Sequence, residues 1–294
     1  MGITSFSALA RLRRTAGVRR IGHAGTLDPA ASGVLVTALG DGTKLLPFLL
    51  TSPKEYLAWV SFGIATDTLD SDGVVVARAE AEVTASELGR LLPQFVGEQQ
   101  QTPPRYAALK HQGQRLYALA RAGQELEPAP RPVVAYSVEL VAFGIRDVAT
   151  TYQLEDLAGT ALAPYPFPPL PTAVLRVVAG PGFYVRALAK DLGQALGVPA
   201  CLSGLVRLRS GQFTLQGAVP PDAPLDTVRA ALVPLAQALP YQRLVLEPGD
   251  AQRLRRGQRL KNGALGRLAV VDHTGELVAV AEGNGQELRP LRVW

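Results

Sequence analysis

Cysteine, histidine and tryptophan are scarce in this chain. Among 294 residues there are one cysteine, Cys201, two tryptophans and three histidines. A single cysteine cannot close an internal disulfide, which excludes a disulfide-scaffold domain. His23, His111 and His273 stand far apart and give no zinc-ligand spacing. Apolar runs such as Leu45 to Leu50 are far too short to span a bilayer. The first residues show no positively charged segment ahead of an apolar core, the pattern of a secretory leader. Phe6 stands where an N-myristoylation site wants Ser or Thr. These absences lead to the expectation of a soluble cytoplasmic protein with no membrane partner. Nor does a Gly-x-Gly-x-x-Gly follow a strand, and there is no P-loop, so use of NAD or ATP is not indicated. TDTLDSDG at 66–73 fails as a calcium loop: the first acid is missing, and Ala79 stands where the closing glutamate belongs. No metal is expected.

What is present describes a folded protein. Hydrophobic residues make up 47% and charged residues 19%, unlike a disordered chain. The 29 glycines and 23 prolines fall short of low complexity. The length suits one large domain or two, with enough chain to bury a core unaided. Formal charge is +5 and the sequence pI about 9.5. Lysine occurs five times against 25 arginines. Arginine grips phosphate bidentately and stacks on bases, which suits a nucleic-acid partner. A GC-rich coding sequence produces the same bias. Arg11, Arg13, Arg14, Arg19 and Arg20 form one basic cluster, and Arg253, Arg255, Arg256 and Arg259 a second. Each alone reads as a solvated helix face; two of them, near opposite ends of the chain, shift the balance towards a long polyanion.

Local patterns set out an order of elements. Thr4 or Ser5 caps a helix carrying Phe6, Leu9 and Leu12 and ending at Gly17. GHAGTLDPAASG at 22–33 is a small-residue loop. Gly33 to Leu39 reads as a buried strand, Lys44 to Leu50 as a short amphipathic helix, and Tyr56 to Ile64 as a strand. Thr84 and Glu87 make a capping box for a helix to about Phe95. Two prolines keep 99–110 extended. A helix over Leu116 to Arg121, ended by Gly123, is followed by strands over Val133 to Ile145 and Ala173 to Val178. APYPFPPLP at 163–171 is a Pro-rich exposed loop. Phe183 to Leu196 is helical with Gly197 as its cap, Leu205 to Leu215 strand-like, and Leu225 to Leu239 helical. Beyond Pro240 short strands alternate with Gly turns. The fold class expected is α+β with a mixed, largely antiparallel sheet. The boundary places one domain at 1–240 and a small β-rich domain at 241–294.

Two segments carry candidate chemistry. In Gly22-His23-Ala24-Gly25-Thr26-Leu27-Asp28-Pro29, glycines allow close approach of a ligand, and the proline biases Asp28 towards an extended conformation. An Asp-Pro pair is by itself more often a turn than a catalytic acid. Gly180-Pro181-Gly182-Phe183-Tyr184-Val185-Arg186 opens a helix. Its backbone N–H groups suit an anion, Tyr184 can stack on a base, and Arg186 can pair with a carboxylate. An ordinary Gly-rich cap with Tyr184 in the core and Arg186 on the surface fits the same letters.

GHAGTLDPAASGVL at 22–35 resembles the central motif of TruB-type tRNA pseudouridine-55 synthases. TDTLDSDG at 66–73, PPRYAALKHQGQRLYALARAG at 103–123, GPGFYVRALAKDLG at 180–193 and LSGLVRLRSGQF at 202–213 are similar to further segments of that family, in family order, over residues 2 to about 235. The tail resembles the family's small PUA-like RNA-binding domain more weakly. The resemblance implies a pseudouridine-synthase fold that isomerises uridine 55 in the T-loop of tRNA without a cofactor. It implies that Asp28 is the catalytic aspartate and Arg186 the arginine paired with it. Tyr56 would stack on the target uracil and take part in proton transfer. Tyr184 and Leu205 would line the base pocket, and His23 would insert into the T-loop. Arg207 and the basic clusters would meet phosphate. Family members begin with a strand and a Lys-Pro-Xaa-Gly segment ahead of the part matched by Gly2-Ile3-Thr4-Ser5, where this chain starts. Arg19 or Arg20 stands for a frequent lysine, Val206 for a frequent arginine, and the 163–171 loop looks like an insertion. Asp28, Tyr56 and Arg186 favour an active enzyme over a tRNA-binding or folding factor with dispensable catalysis; the short C-terminal domain and bacterial-type composition argue against the guide-dependent branch of the superfamily, and a monomer is expected.

Overall fold

The computed structural model describes residues 2–107, 110–111, 114–115, 128–147, 162 and 165–294. The helix expected over Leu116 to Arg121 lies outside them. The chain divides into two compact units. The first comprises Met1–Ser7, Gly25–Leu35 and Thr51–Ala218, the second Ala8–Ala24, Val36–Leu50 and Val219–Trp294.

The first unit is built on a seven-stranded sheet. Numbered in chain order, its strands are β1 (Ala31–Gly33), β2 (Lys54–Phe62), β3 (Gly97–Gln101), β4 (Arg131–Arg146), β5 (Leu170–Ala179), β6 (Ala200–Ser210) and β7 (Phe213–Thr214). The order across the sheet is β7-β6-β2-β5-β4-β3, with β1 joining β6 in parallel and every other pair antiparallel. This is the mixed, largely antiparallel arrangement expected.

Both faces of β2 are covered, so its sequence KEYLAWVSF reads as a nearly continuous apolar run rather than a half-polar one. Ala58, Val60 and Phe62 join the main core with Leu88, Leu175, Leu188 and Leu192, while Leu57 and Trp59 pack with Val174, Val206 and Leu208. The helix Val185–Leu196 lays Leu188, Ala189 and Leu192 into that main core and stops at Gly197. The Thr84 hydroxyl accepts from the Glu87 N–H (3.2 Å), and the Glu87 carboxylate accepts from the Thr84 N–H (2.9 Å). That box starts the helix Ala85–Leu91, and the chain then tightens into the 3-10 helix Leu92–Phe95, with Pro93 in its first turn. At the end of the Pro-rich loop, Tyr165 and Phe167 are buried against Ile64 and Cys201. The Tyr165 ring lies 4.6 Å from the Arg146 guanidinium, so this part of the loop is core rather than exposed.

Three expected elements are shorter than their patterns suggest. The strand over Gly33 to Leu39 is two strands, Ala31–Gly33 and Thr37–Leu39, with different partners. Gly33 turns the chain between them at φ +103°, a conformation favouring glycine, and a Cβ there would sit 2.2 Å from the Arg207 carbonyl oxygen. Lys44 to Leu50 divides into a 3-10 helix, Gly40–Leu45, and one α-turn, Leu46–Leu49, with Pro47 inside the first turn. The helix from Leu225 ends at Ala230, because Pro234 lacks an N–H and steers Val233 out of the helical region.

The second unit carries a five-stranded sheet made of β8 (Gln242–Val245), β9 (Leu260–Lys261), β10 (Leu265–Val271), β11 (Leu277–Asn284) and β12 (Glu287–Val293), in the order β8-β10-β11-β12-β9. The helix Pro248–Arg255 seats Ala251 and Leu254 against Leu268, Val270, Val278 and Leu288. The same unit holds the ribbon formed by Ile21–His23 and Thr37–Leu39. Among the described residues, no helix is long and apolar enough to cross a membrane.

Candidate active site

The segment around Asp28 is held by its backbone. Leu27 donates its N–H to the Ser5 hydroxyl (2.9 Å), and that hydroxyl donates to the Leu27 carbonyl (3.0 Å). The Ala31 N–H closes a turn onto the Asp28 carbonyl (2.9 Å). The carboxylate stands free of this scaffold, with 35% of its side chain exposed. Arg186 meets it from the first turn of Val185–Leu196. Nη2 donates to Oδ1 (3.0 Å), and Nε lies 2.9 Å from Oδ2 without hydrogen-bond geometry, so the two form an ion pair with one hydrogen bond. Arg186 is 5% exposed and also donates to the carbonyls of Thr68 (3.1 Å) and Tyr106 (3.2 Å). Burial raises the Asp28 pKa above its ordinary 3.8, outweighing the pull of Arg186 in the other direction.

Asp70 completes this group, and sequence reasoning did not single it out. Its Oδ2 is 3.4 Å from Arg186 Nη1, and its other oxygen accepts from the Thr68 hydroxyl (2.6 Å) and the Asp72 N–H (3.1 Å). The neighbouring Leu69 adopts φ +65°, a left-handed conformation rare for a bulky residue, while its carbonyl accepts from Leu202 N–H. The signal was within TDTLDSDG, but several acids there compete and only the fold tells which one faces Arg186.

Asp28, Ala31, Asp70, Leu202, Gly204 and Leu205 line one cleft. Leu205 forms part of the apolar wall beside the acid. Tyr184, the residue before the helix, is pinned by Gln101: its N–H donates to Gln101 Oε1 (2.7 Å), and Gln101 Nε2 donates to its carbonyl (3.0 Å). Arg131 lies over its ring at 5.0 Å. Tyr56 on β2 faces Arg207 on β6 in register. Burial raises the pKa of both tyrosines. His23 belongs to the second unit, in the strand paired with Thr37–Leu39.

Arg207 departs from expectation. It is 2% exposed, and its donors end on backbone: Nε on Val34 O (2.6 Å), Nη1 on Thr26 O (3.3 Å) and Nη2 on Gly25 O (3.1 Å). A guanidinium so enclosed does not present itself to a phosphate. Beside it, Lys54 is 6% exposed and donates to Ser52 O (2.6 Å). Burial, then the neighbouring Arg207, push that amine down to about 8. The second basic cluster is also largely committed within the protein. Arg253 pairs with Asp250 (3.0 Å), Arg255 with Asp272 (2.7 Å) and Arg259 with Glu287 (3.5 Å). In the first cluster Arg20 pairs with Asp41. Among the described residues, no group of His, Cys, Asp and Glu is placed to hold a metal ion.

A carboxylate paired with a buried arginine beside apolar residues of a cleft can act as nucleophile or base. Residues 13–160 match the model of the TruB family pseudouridylate synthases, N-terminal domain. Over 300 residues the chain is 41% identical to the tRNA pseudouridine synthase B of Deinococcus radiodurans, covering 99% of this chain and 96% of that protein. The chain belongs to the TruB family. A second TruB relative, the tRNA pseudouridine synthase B of Thermus thermophilus, is also 41% identical over 99% of this chain and 95% of its own length. The fold matches a Cbf5-Nop10-Gar1 complex with a TM-score of 0.69 at 21% identity, covering 99% of this chain and 82% of that one. A structure of an H/ACA RNP bound to a substrate RNA containing 2'-deoxyuridine matches with the same TM-score at 20% identity, over 99% and 81%. The TruB motif residues Asp28 and Arg186 are those the geometry joins.

Proposed function

We propose that the chain isomerises uridine to pseudouridine at position 55 in the T-loop of tRNA, acting as a monomer without a guide RNA. The observation that carries this reading is the Asp28–Arg186 ion pair at the cleft walled by Leu205. The reaction breaks C1′–N1, turns the base, forms C1′–C5 and releases the C5 proton. Atoms and oxidation state balance within the substrate, so the chemistry calls for no cofactor. Asp28 acts on the ribosyl or base carbon as the glycosidic bond breaks, and Arg186 holds it ionised and oriented. The base must leave its stack to be reached, and Tyr56 replaces part of that stacking, with Tyr184 and Leu205 as further walls. His23 fills the space left in the loop. The 241–294 segment is the RNA-binding appendage, and the arginines outside the ion pairs track phosphate.

The test is tritium release from a tRNA transcript carrying 5-tritiated uridine, wild type beside Asp28→Asn. Release of one equivalent by the wild type and none by the variant is expected. Release beyond one equivalent would show a broader target. No release by either, with tight tRNA binding, would leave a tRNA-binding or folding factor.

A further inference from the structure

Arg207 is among the most enclosed charges in the molecule, and among the described residues it makes no ion pair. Burying a guanidinium without a carboxylate is costly unless each donor finds an acceptor. Here the acceptors all belong to one loop. Gly25 and Thr26 precede Asp28, Val34 follows it, and the carbonyl of each accepts from Arg207. The Val34 N–H returns a bond to the Arg207 carbonyl (2.9 Å), so the two segments are tied in both directions. The loop is shaped to lie on this residue. Gly33 pairs with it in register, and a Cβ on Gly25 would come within 3.7 Å of Nη1. Tyr56 stands opposite it in register on β2. A planar fork can reach separated acceptors in this way; a lysine ammonium on one flexible stem cannot.

We propose that Arg207 is the positioning residue of the catalytic loop: it gathers the carbonyls on both sides of Asp28, so that one guanidinium sets the place of the acid opposite Tyr56. It acts through these groups and touches neither substrate nor phosphate. The inference rests on Asp28 being the catalytic carboxylate.

The experiment measures single-turnover tritium release at saturating tRNA, tRNA affinity across a salt series, and melting temperature, for Arg207→Met, Arg207→Lys and Asp28→Asn. Arg207→Met is expected to slow release by about 100-fold, as for a displacement of about 1 Å at the reacting group. The dissociation constant stays within about threefold and the slope of log K against log salt is unchanged, since Arg207 neutralises no phosphate. Arg207→Lys, which keeps the charge but not the fork, recovers about tenfold of that loss. A full rate in Arg207→Met overturns the proposal. So does a slope smaller by about one with the saturated rate retained, which would make Arg207 a phosphate ligand after all. Where Arg207→Met does not fold, Arg207→Lys decides: a slowed saturated rate with unchanged affinity supports the role, and a wild-type rate overturns it. Retained turnover in Asp28→Asn would instead overturn the reading of the site itself.

Discussion

The seven-stranded unit buries Lys54, Asp70, Arg146, Arg186 and Arg207, each less than a tenth exposed. In the unit of the five-stranded sheet, Asp272 alone among the described residues is a buried charge. Asp272 serves a turn. Its carboxylate accepts from the Thr274 hydroxyl and N–H and the Glu276 N–H, and pairs with Arg255. These bonds, the Thr274 hydroxyl first, draw its pKa below the usual carboxylate range. The charges of the first unit are less well matched. Arg207 has carbonyls but no carboxylate, Lys54 is driven down to about 8, and Asp28 is held above its ordinary value. Charges that stabilise a fold are matched to partners; charges kept at a cost to stability single out a candidate site.

The largest effect expected from breaking this contrast is on turnover. Asp28→Asn is expected to lower tritium release by at least about 10³-fold while tRNA binding persists within a few-fold. Binding that collapses with activity would make Asp28 a scaffold residue like Asp272. The next step compares the two buried aspartates directly. Asp70→Asn strips one of two carboxylates from a buried arginine and is expected to cost about 3 kcal/mol in urea denaturation. Asp272→Asn keeps an acceptor oxygen for the turn and leaves a partly exposed Arg255, so about 1 kcal/mol is expected. Equal losses would erase the distinction.

Lys54 sharpens the comparison through pH. Its folded pKa of about 8 lies below the ordinary 10.5, so between those values the unfolded chain binds more protons and stability rises with pH. The stability of the wild type relative to Lys54→Met is therefore expected to climb from pH 8 towards 10.5, by at most about 1.4 kcal/mol per pH unit. A flat difference would show that the amine keeps an ordinary pKa. The smallest effect belongs to the surface of the second unit. Arg253→Ala with Arg256→Ala is expected to change stability by less than about 0.5 kcal/mol, because exposed pairs contribute little. In tRNA binding the same variant is expected to flatten the salt dependence by about one log unit for each phosphate these arginines neutralise. An unchanged slope would mean that this cluster serves only its own ion pairs.

Local rules account for what was legible. The capping box at Thr84 and Glu87, the strand around Tyr56 and the glycine stop at Gly197 depend on residues a few positions apart, and each is found. The helix expected over Leu225 to Leu239 failed where its own Pro234 should have shortened it. The match to a family pattern carried the pairing of Asp28 with Arg186 across 158 positions, which neither segment discloses alone. Asp70 was overlooked because its loop offers several acids.

The sequence by itself determined the mixed fold class and the family, because these rest on local spacing and motif order. Only the tertiary structure decided which charges face water and which are enclosed. Arg207 and Arg253 are the same letter in the chain. Strand pairing with β1 and β2 seals one under the loop around Asp28, while the end of a surface helix leaves the other beside Asp250. Burial is set by what the rest of the chain packs over a residue, and that is a non-local quantity.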